Sequence, residues 1–149
     1  MRSSPSTDVE APACRILLVE DARIVREPLA RLLSAEGFEV ITASDGNEAF
    51  AALREGGSPR RAGVDLVLLD VMMPRMDGVA FLSALREDPR FRHVPVIALT
   101  GISDTSRLNK LRELGVNTIV HKVRFTFDGL LEEIRRHLAE CAESRWGAW

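Results

Sequence analysis

The sequence predicts an open, doubly wound α/β domain, with a five-stranded parallel sheet and helices on both of its faces. Five short apolar runs alternate strictly with five segments whose apolar residues recur at helical spacing. Such alternation is typical of repeated β–α units, whose right-handed crossovers bring the strands into one parallel sheet. The third run, at residues 66–70, is almost wholly apolar up to its last residue. Strands that are buried on both faces have this composition, which supports helices on both sides of the sheet.

The first unit consists of a strand at residues 15–19 and a helix that ends before Gly37. Apolar side chains fall on one face of this helix at helical spacing: Ile24, Val25, Leu29, Leu32 and Leu33. Asp21 is predicted to cap the start of the helix, and Gly37 to end it in a left-handed conformation. Pro28 lies inside the pattern and is expected to kink the helix or delay its start, because proline lacks a backbone N–H.

The remaining units follow the same pattern. Further strands are predicted at residues 39–43, 66–70, 96–99 and 118–121. Further helices are predicted at residues 46–55, 79–86, 105–114 and 129–143. The segment 56–63 contains Gly, Pro and Ser and is predicted to be a loop. Residues 1–13 are predicted to be a disordered leader, residues 14–143 the domain, and residues 144–149 a short tail.

The composition excludes several classes of function. A net charge of -2 gives no global electrostatic reason for binding nucleic acid or an anionic membrane. No apolar stretch approaches the roughly 20 residues that span a bilayer, and the first residues lack a signal peptide. Cys14 and Cys141 have neither metal-ligand spacing nor a disulfide pattern. We therefore expect a cytoplasmic protein with no membrane insertion and no direct contact with nucleic acid.

Polar side chains end four of the predicted strands. Glu20 and Asp21 follow the first strand, Asp70 ends the third, Thr100 follows the fourth, and Lys122 follows the fifth. The carboxyl ends of parallel strands meet at one edge of the sheet, where ligands of such folds bind. The three carboxylates should repel one another there and have raised pKa values, a cost that a divalent cation removes. Together with a hydroxyl and an ammonium group, they predict a site for a divalent cation and a phosphoryl group.

Four motifs resemble the receiver domain of two-component response regulators. They are Leu-Val-Glu-Asp at 18–21, Leu-Asp-Val-Met-Met-Pro-Arg-Met-Asp-Gly at 69–78, Ala-Leu-Thr-Gly at 98–101, and Lys122. The resemblance covers about residues 15–141 and agrees in order, spacing and strand context. It implies a flavodoxin-like strand order of 2-1-3-4-5. It also implies that a sensor histidine kinase or a phosphotransfer protein donates a phosphoryl group from a phosphohistidine.

The resemblance implies a role for each residue at the strand ends. Asp70 is expected to be the phosphoacceptor, since a carboxylate can form an acyl phosphate. Lys122 is expected to neutralise the phosphoryl oxygens, because catalysis of this transfer is mostly positioning and charge neutralisation. Thr100 is expected to be the switch hydroxyl that turns toward the phosphoryl group and pulls the loop after the fourth strand.

The resemblance also implies Mg²⁺ as the cofactor. Asp21, Asp70 and the backbone carbonyl of Met72 are expected to ligate the ion directly. Glu20 is expected to act through a water, at a position where the family more often has aspartate. Oxygen ligands and retained waters are what Mg²⁺ prefers in proteins.

Two positions depart from the family pattern. Ile119 stands where the family usually has Tyr or Phe, the ring that moves inward on activation. Val123 stands where the family usually has Pro after the lysine, so the peptide bond there should be trans. The chemistry at Asp70 is therefore supported more firmly than the usual readout through an aromatic ring.

These features are compatible with three functions. The first is a single-domain response regulator, not an enzyme, which signals or relays through contacts with an unknown downstream protein; only about six residues are expected after the last helix. The second is a phosphorylation-independent pseudo-receiver that works as a binding module, favoured by Ile119 and Val123. The third, a haloacid dehalogenase-like phosphohydrolase, needs a second acid two residues after the nucleophile. Met72 occupies that position, which argues against the phosphohydrolase. The binding module is disfavoured because the polar set is intact: Glu20, Asp21, Asp70, Thr100 and Lys122. The sequence therefore favours the first function.

Overall fold

The computed structural model describes residues 14–55, 63–73, 76–101, 105–122 and 125–146. Its main sheet has five parallel strands: β1 (Arg15–Val19), β2 (Glu39–Ala43), β3 (Leu66–Asp70), β4 (Val96–Thr100) and β5 (Thr118–His121). Their order across the sheet is 2-1-3-4-5, which confirms the predicted topology. The predicted leader at 1–13, all but the last residue of the predicted loop at 56–63, and the tail residues 147–149 lie outside the described residues.

Five helices alternate with these strands, as predicted. They are α1 (Arg23–Ala35), α2 (Gly46–Arg54), α3 (Gly78–Glu87), α4 (Thr105–Glu113) and α5 (Phe127–Trp146). A small antiparallel hairpin, Met72–Met73 paired with Met76–Asp77, lies between β3 and α3. Among the helices of the described ranges, none is both long enough and apolar enough to cross a lipid bilayer.

The core lies in two layers, one on each face of the sheet. In β3, Val67 and Leu69 pack in the layer that contains buried side chains of α2, α3 and α4. Leu66 and Leu68 pack in the opposite layer, with buried side chains of α1 and α5. Because successive side chains of a strand point to opposite faces, a strand between two helical layers is apolar throughout. All five residues of β3 are buried, as the sequence predicted.

The start of α1 differs from the prediction. The N-cap is Ala22, which has no side chain able to cap, so the prediction that Asp21 caps this helix was wrong. Asp21 lies one residue before the cap, and its carboxylate lies with two other acids at the edge of the sheet. The helix begins at Arg23, so Pro28 does not delay its start. Gly37 has φ of +100°, which confirms the predicted left-handed end.

The last helix is longer at both ends than predicted. It begins at Phe127 rather than Gly129, because the Thr126 hydroxyl accepts a hydrogen bond from the Gly129 N–H at 3.0 Å and caps the first turn. It also continues to Trp146, so residues 144–146 of the predicted tail are helical.

A close backbone contact shapes the turn that follows the third strand. A Cβ atom added at Gly78 would lie 2.6 Å from Val71 Cα, so only glycine fits there without a shift. Directly before it, the Asp77 carboxylate accepts a hydrogen bond from the Val79 N–H at 3.0 Å and caps α3. The turn after Asp70 is thus tied to the start of α3.

Candidate functional site

Three carboxylates meet at the carboxyl edge of the sheet. β1 and β3 are neighbours, and Val19 pairs with Leu69, so the residues after them emerge side by side. One oxygen from each of Glu20, Asp21 and Asp70 lies within 4.8 Å of the other two. Glu20 and Asp70 are buried, with 1% and 2% of their surface exposed, and Asp21 is half-buried. The predicted acidic site is therefore assembled as the strand order requires.

A lysine that follows the outermost strand of the sheet reaches this cluster. Lys122 directly follows β5, and its Nζ lies 3.3 Å from Asp70 Oδ1 and 3.6 Å from Glu20 Oε1. Its side chain is 36% exposed, whereas the two carboxylates are almost fully buried. The partly exposed ammonium group of Lys122 thus pairs with two buried carboxylates.

The predicted switch hydroxyl lies on the strand between Asp70 and Lys122. Thr100 is the last residue of β4 and is fully buried. Asp70 pairs with Leu99 and Thr100 pairs with His121, so Thr100 is one residue further along the same edge. Asp70, Thr100 and Lys122 therefore come from three adjacent strands.

The environment of Glu20 disfavours its ionised form. Burial is the main cause, followed by the Asp70 carboxylate, and together they raise the pKa of Glu20 to about 7. The Ala22 N–H, which donates to Oε2 at 3.1 Å, and the Lys122 charge oppose this change. The expected rise in pKa is confirmed for this residue. Oε1 is buried and, among the described residues, accepts no hydrogen bond.

An arginine that the sequence analysis missed holds the acidic pair in place. The guanidinium of Arg26 donates from Nη1 to the backbone carbonyls of Glu20 at 2.9 Å and Asp21 at 3.1 Å. Its position one turn into α1, five residues after Asp21, is the signal that could have found it. Because Arg26 fixes the two peptide groups, it orients the side chains that they carry.

The remaining predicted positions fall near the site or outside it. Met72 lies in the hairpin two residues after Asp70, and its role as a carbonyl ligand stays a prediction. Ile119 is partly buried and packs against the core layer that contains Leu111 of α4. Val123 lies outside the described residues.

The fold and this crevice define a class of protein: an α/β domain that gathers three acids, close enough to hold a metal ion, and a lysine around one buried aspartate. The comparison with family models gives the particular family. The model for the response regulator receiver domain matches residues 16–135. The chain therefore belongs to the receiver domain family, as its motifs suggested.

Curated relatives and solved structures agree with this assignment. The chain is 30% identical over 141 residues to the chemotaxis protein CheV3 of Helicobacter pylori, covering 92% of this chain and 45% of CheV3. It is 36% identical over 131 residues to a protein-glutamate methylesterase/protein-glutamine glutaminase of Anaeromyxobacter dehalogenans, covering 86% of this chain and 35% of that protein. The chain thus spans less than half the length of these two relatives.

A solved structure matches over almost its whole length. The chemotaxis protein CheY4 of Vibrio cholerae superposes with a TM-score of 0.74 at 28% identity, covering 84% of this chain and 98% of that one. The chain thus belongs to a class of signalling phosphoacceptor domains of two-component systems. Domains of this class interact with histidine kinases or phosphotransfer proteins.

Proposed function

We propose that Asp70 of this receiver accepts a phosphoryl group from a phosphohistidine, carried by a sensor histidine kinase or a phosphotransfer protein. The signal then passes to a downstream protein through a contact that depends on the phosphorylated state. The observation that carries this proposal is the Asp70 carboxylate itself, which is buried and lies 3.3 Å from Lys122 Nζ. The proposal implies a cytoplasmic location, where the ATP used by histidine kinases is found.

The proposed reaction is a single in-line displacement. An Asp70 carboxylate oxygen attacks phosphorus, the P–N bond to the imidazole breaks, and the imidazole nitrogen leaves with the electron pair. The product is an acyl phosphate on Asp70. Lys122 supplies positive charge next to the acceptor oxygen, where negative charge accumulates on the phosphoryl group.

The acidic cluster fits a divalent cation. Among the described residues, Glu20 Oε1 is buried and accepts no hydrogen bond, with Lys122 Nζ 3.6 Å away, and ionised carboxylates this close are costly unless a cation neutralises them. In our proposal, Asp21, Asp70 and the backbone carbonyl of Met72 would hold Mg²⁺, with Glu20 acting through a water. When bound, the ion supplies further charge neutralisation for the phosphoryl oxygens.

Thr100 is the proposed sensor of the phosphoryl group. Its position at the end of β4, one strand from Asp70, suits a hydroxyl that hydrogen-bonds a phosphoryl oxygen. A bond of this kind is a local event that biases the connection between β4 and α4.

The replacement of the usual aromatic residue by Ile119 favours one alternative, a binding module that no longer needs phosphorylation. A direct test separates the two functions: incubation with Mg²⁺ and acetyl phosphate, followed by measurement of the intact mass. The proposal predicts a gain of one phosphoryl group, lost in Asp70→Asn and in the presence of a chelator, but retained in Asp128→Asn, which changes an exposed acid on α5. If the wild type gains no mass and beryllofluoride does not bind, the binding module is the better account.

A further inference from the structure

Two adjacent acids bring their carboxylates to one place, which an extended strand cannot do. Successive side chains of a strand point to opposite faces of the sheet. Yet one oxygen from each of Glu20 and Asp21 lies within 4.8 Å of the same oxygen of Asp70. The chain therefore leaves the extended conformation between β1 and α1, and it bends at Asp21. We call residues 20–22 the corner.

One arginine contacts all three carbonyls of the corner. Nη1 of Arg26 donates to the Glu20 carbonyl at 2.9 Å and to the Asp21 carbonyl at 3.1 Å. The backbone N–H of Arg26 donates to the Ala22 carbonyl at 2.8 Å. Successive carbonyls of an extended chain point in opposite directions, so a single nitrogen can bridge two of them only where the chain bends. The side chain of Arg26 thus bonds to the bent form of the corner.

The other bonds of the corner do not fix this bend. The Glu20 N–H donates to the Ala43 carbonyl at 3.0 Å, which extends the ladder between β1 and β2. Glu20 Oε2 accepts from the Ala22 N–H at 3.1 Å. Ala22, the N-cap of α1, makes no side-chain cap bond. The bridge from Arg26 is thus the contact that joins the peptide groups of both acids, and its half-buried, charged donor makes it costly to lose.

We propose that Arg26 is a positioning residue that sets the affinity of the acidic cluster for Mg²⁺. By bridging two successive carbonyls, it holds the bend that brings the carboxylates of Glu20 and Asp21 to Asp70. It acts through the peptide groups of the two acids, so it is not a catalytic residue. The inference rests on the proposed function, because Mg²⁺ is the proposed occupant of the cluster.

The sign of the effect separates positioning from charge. Removal of a positive charge beside an acidic cluster would, by charge alone, strengthen the binding of a cation. Loss of the bridge lets the two acids separate and weakens it, since groups that orient metal ligands typically change metal affinity by about 10–100-fold. Arg26→Met keeps the apolar stem and removes the donors, and it should raise the Kd for Mg²⁺ about tenfold. Arg26→Lys keeps the charge but not the fork, and its Kd should lie between the two.

Titration of the full chain with Mg²⁺, followed by amide chemical shifts, measures these Kd values. Arg23→Met is the matched control: it removes the same charge from the same helix, at a side chain that is 77% exposed and pairs with Glu27, and it should not raise the Kd. Amide hydrogen exchange in a chelator tests the corner without metal. The Ala22 N–H should exchange about tenfold faster in Arg26→Met, whereas the Val67 N–H of the central strand should not change, which shows that the fold is kept.

Phosphorylation by acetyl phosphate gives a third measurement. In Arg26→Met, the Mg²⁺ concentration at half the maximal rate should rise about tenfold, while the rate at saturating Mg²⁺ stays within about threefold of the wild type. Unchanged or tighter binding of Mg²⁺ by Arg26→Met would overturn the inference, and so would a wild type that binds no Mg²⁺. If the wild type binds Mg²⁺ but Asp70 gains no phosphoryl group, the proposed function fails, while the titration still decides the role of Arg26.

Discussion

Glu20→Gln should stabilise the metal-free protein at pH 8. Burial and the neighbouring Asp70 raise the pKa of Glu20 from its ordinary 4.5 to about 7. One pKa unit corresponds to about 1.4 kcal/mol, so ionised Glu20 costs the folded state at most about 3.5 kcal/mol. Glutamine keeps the shape of the side chain and removes the charge. We expect a gain of about 1–3 kcal/mol in the free energy of unfolding, because the neighbours of the variant side chain also relax.

The sign of the pH dependence follows from the direction of the pKa change. Between pH 4.5 and about 7, the folded protein holds a proton on Glu20 that the unfolded chain has released. The contribution of Glu20 to the free energy of unfolding therefore falls as the pH rises through this window. Below pH 4.5 both states are protonated, and wild type and Glu20→Gln should have similar stability. The difference between them should grow to its full value above pH 7.

Urea unfolding followed by circular dichroism, with a chelator present, measures this difference between pH 5 and pH 8. Glu132→Gln, which changes an exposed acid on α5, is the control and should show no growing difference. Adding Mg²⁺ at pH 8 should stabilise the wild type more than Glu20→Gln, because the ion offsets the repulsion among the acids. The reasoning is refuted if the variant is no more stable than the wild type at pH 8 in the chelator.

Three further substitutions test the site and its support. Lys122→Gln removes the cation that lies 3.3 Å from Asp70 and should slow phosphorylation by acetyl phosphate roughly 100-fold, followed by intact mass over time. Gly78→Ala places a methyl group 2.6 Å from Val71 Cα and should cost about 1–3 kcal/mol in urea unfolding. Leu68→Ala, at a fully buried position, should cost about 2–5 kcal/mol, whereas Leu32→Ala, at a position 48% exposed, should cost less than about 1 kcal/mol.

The strands were predictable because their signal is local and strong. Four of the five strands have the predicted bounds, and β4 is one residue longer because it includes Thr100. Helix ends were less predictable because several residues compete for each cap. At the start of α1, Asp21 has the right residue type for a cap, but its carboxylate lies in the acidic cluster instead.

The members of the site were predictable, but the contacts that hold them were not. Glu20, Asp21, Asp70 and Lys122 converge because parallel strands bring their carboxyl ends to one edge, a rule that needs no coordinates. Contacts between an arginine and backbone carbonyls leave no such signal in the sequence. Every residue offers the same backbone carbonyl as an acceptor, whatever its side chain. Arg86 bonds to carbonyls up to 29 residues away along the chain, and nothing in the type of those residues marks them as partners.

Ile119 stands where the family usually has an aromatic residue, and this difference affects how a signal could leave the site. Ile119 pairs with Ala98 of β4 and packs in the same core layer as Leu111. An aliphatic side chain has no polar tip that could exchange a buried position for a hydrated one, as an aromatic hydroxyl can. If Thr100 is the switch hydroxyl that we propose, a change there is expected to pass through the backbone of β4 to the amino end of α4, where Arg107 pairs with Asp77 at 3.6 Å. With Ile119 in place of an aromatic ring, the connection between β4 and α4 is therefore expected to be the more important part of the proposed readout.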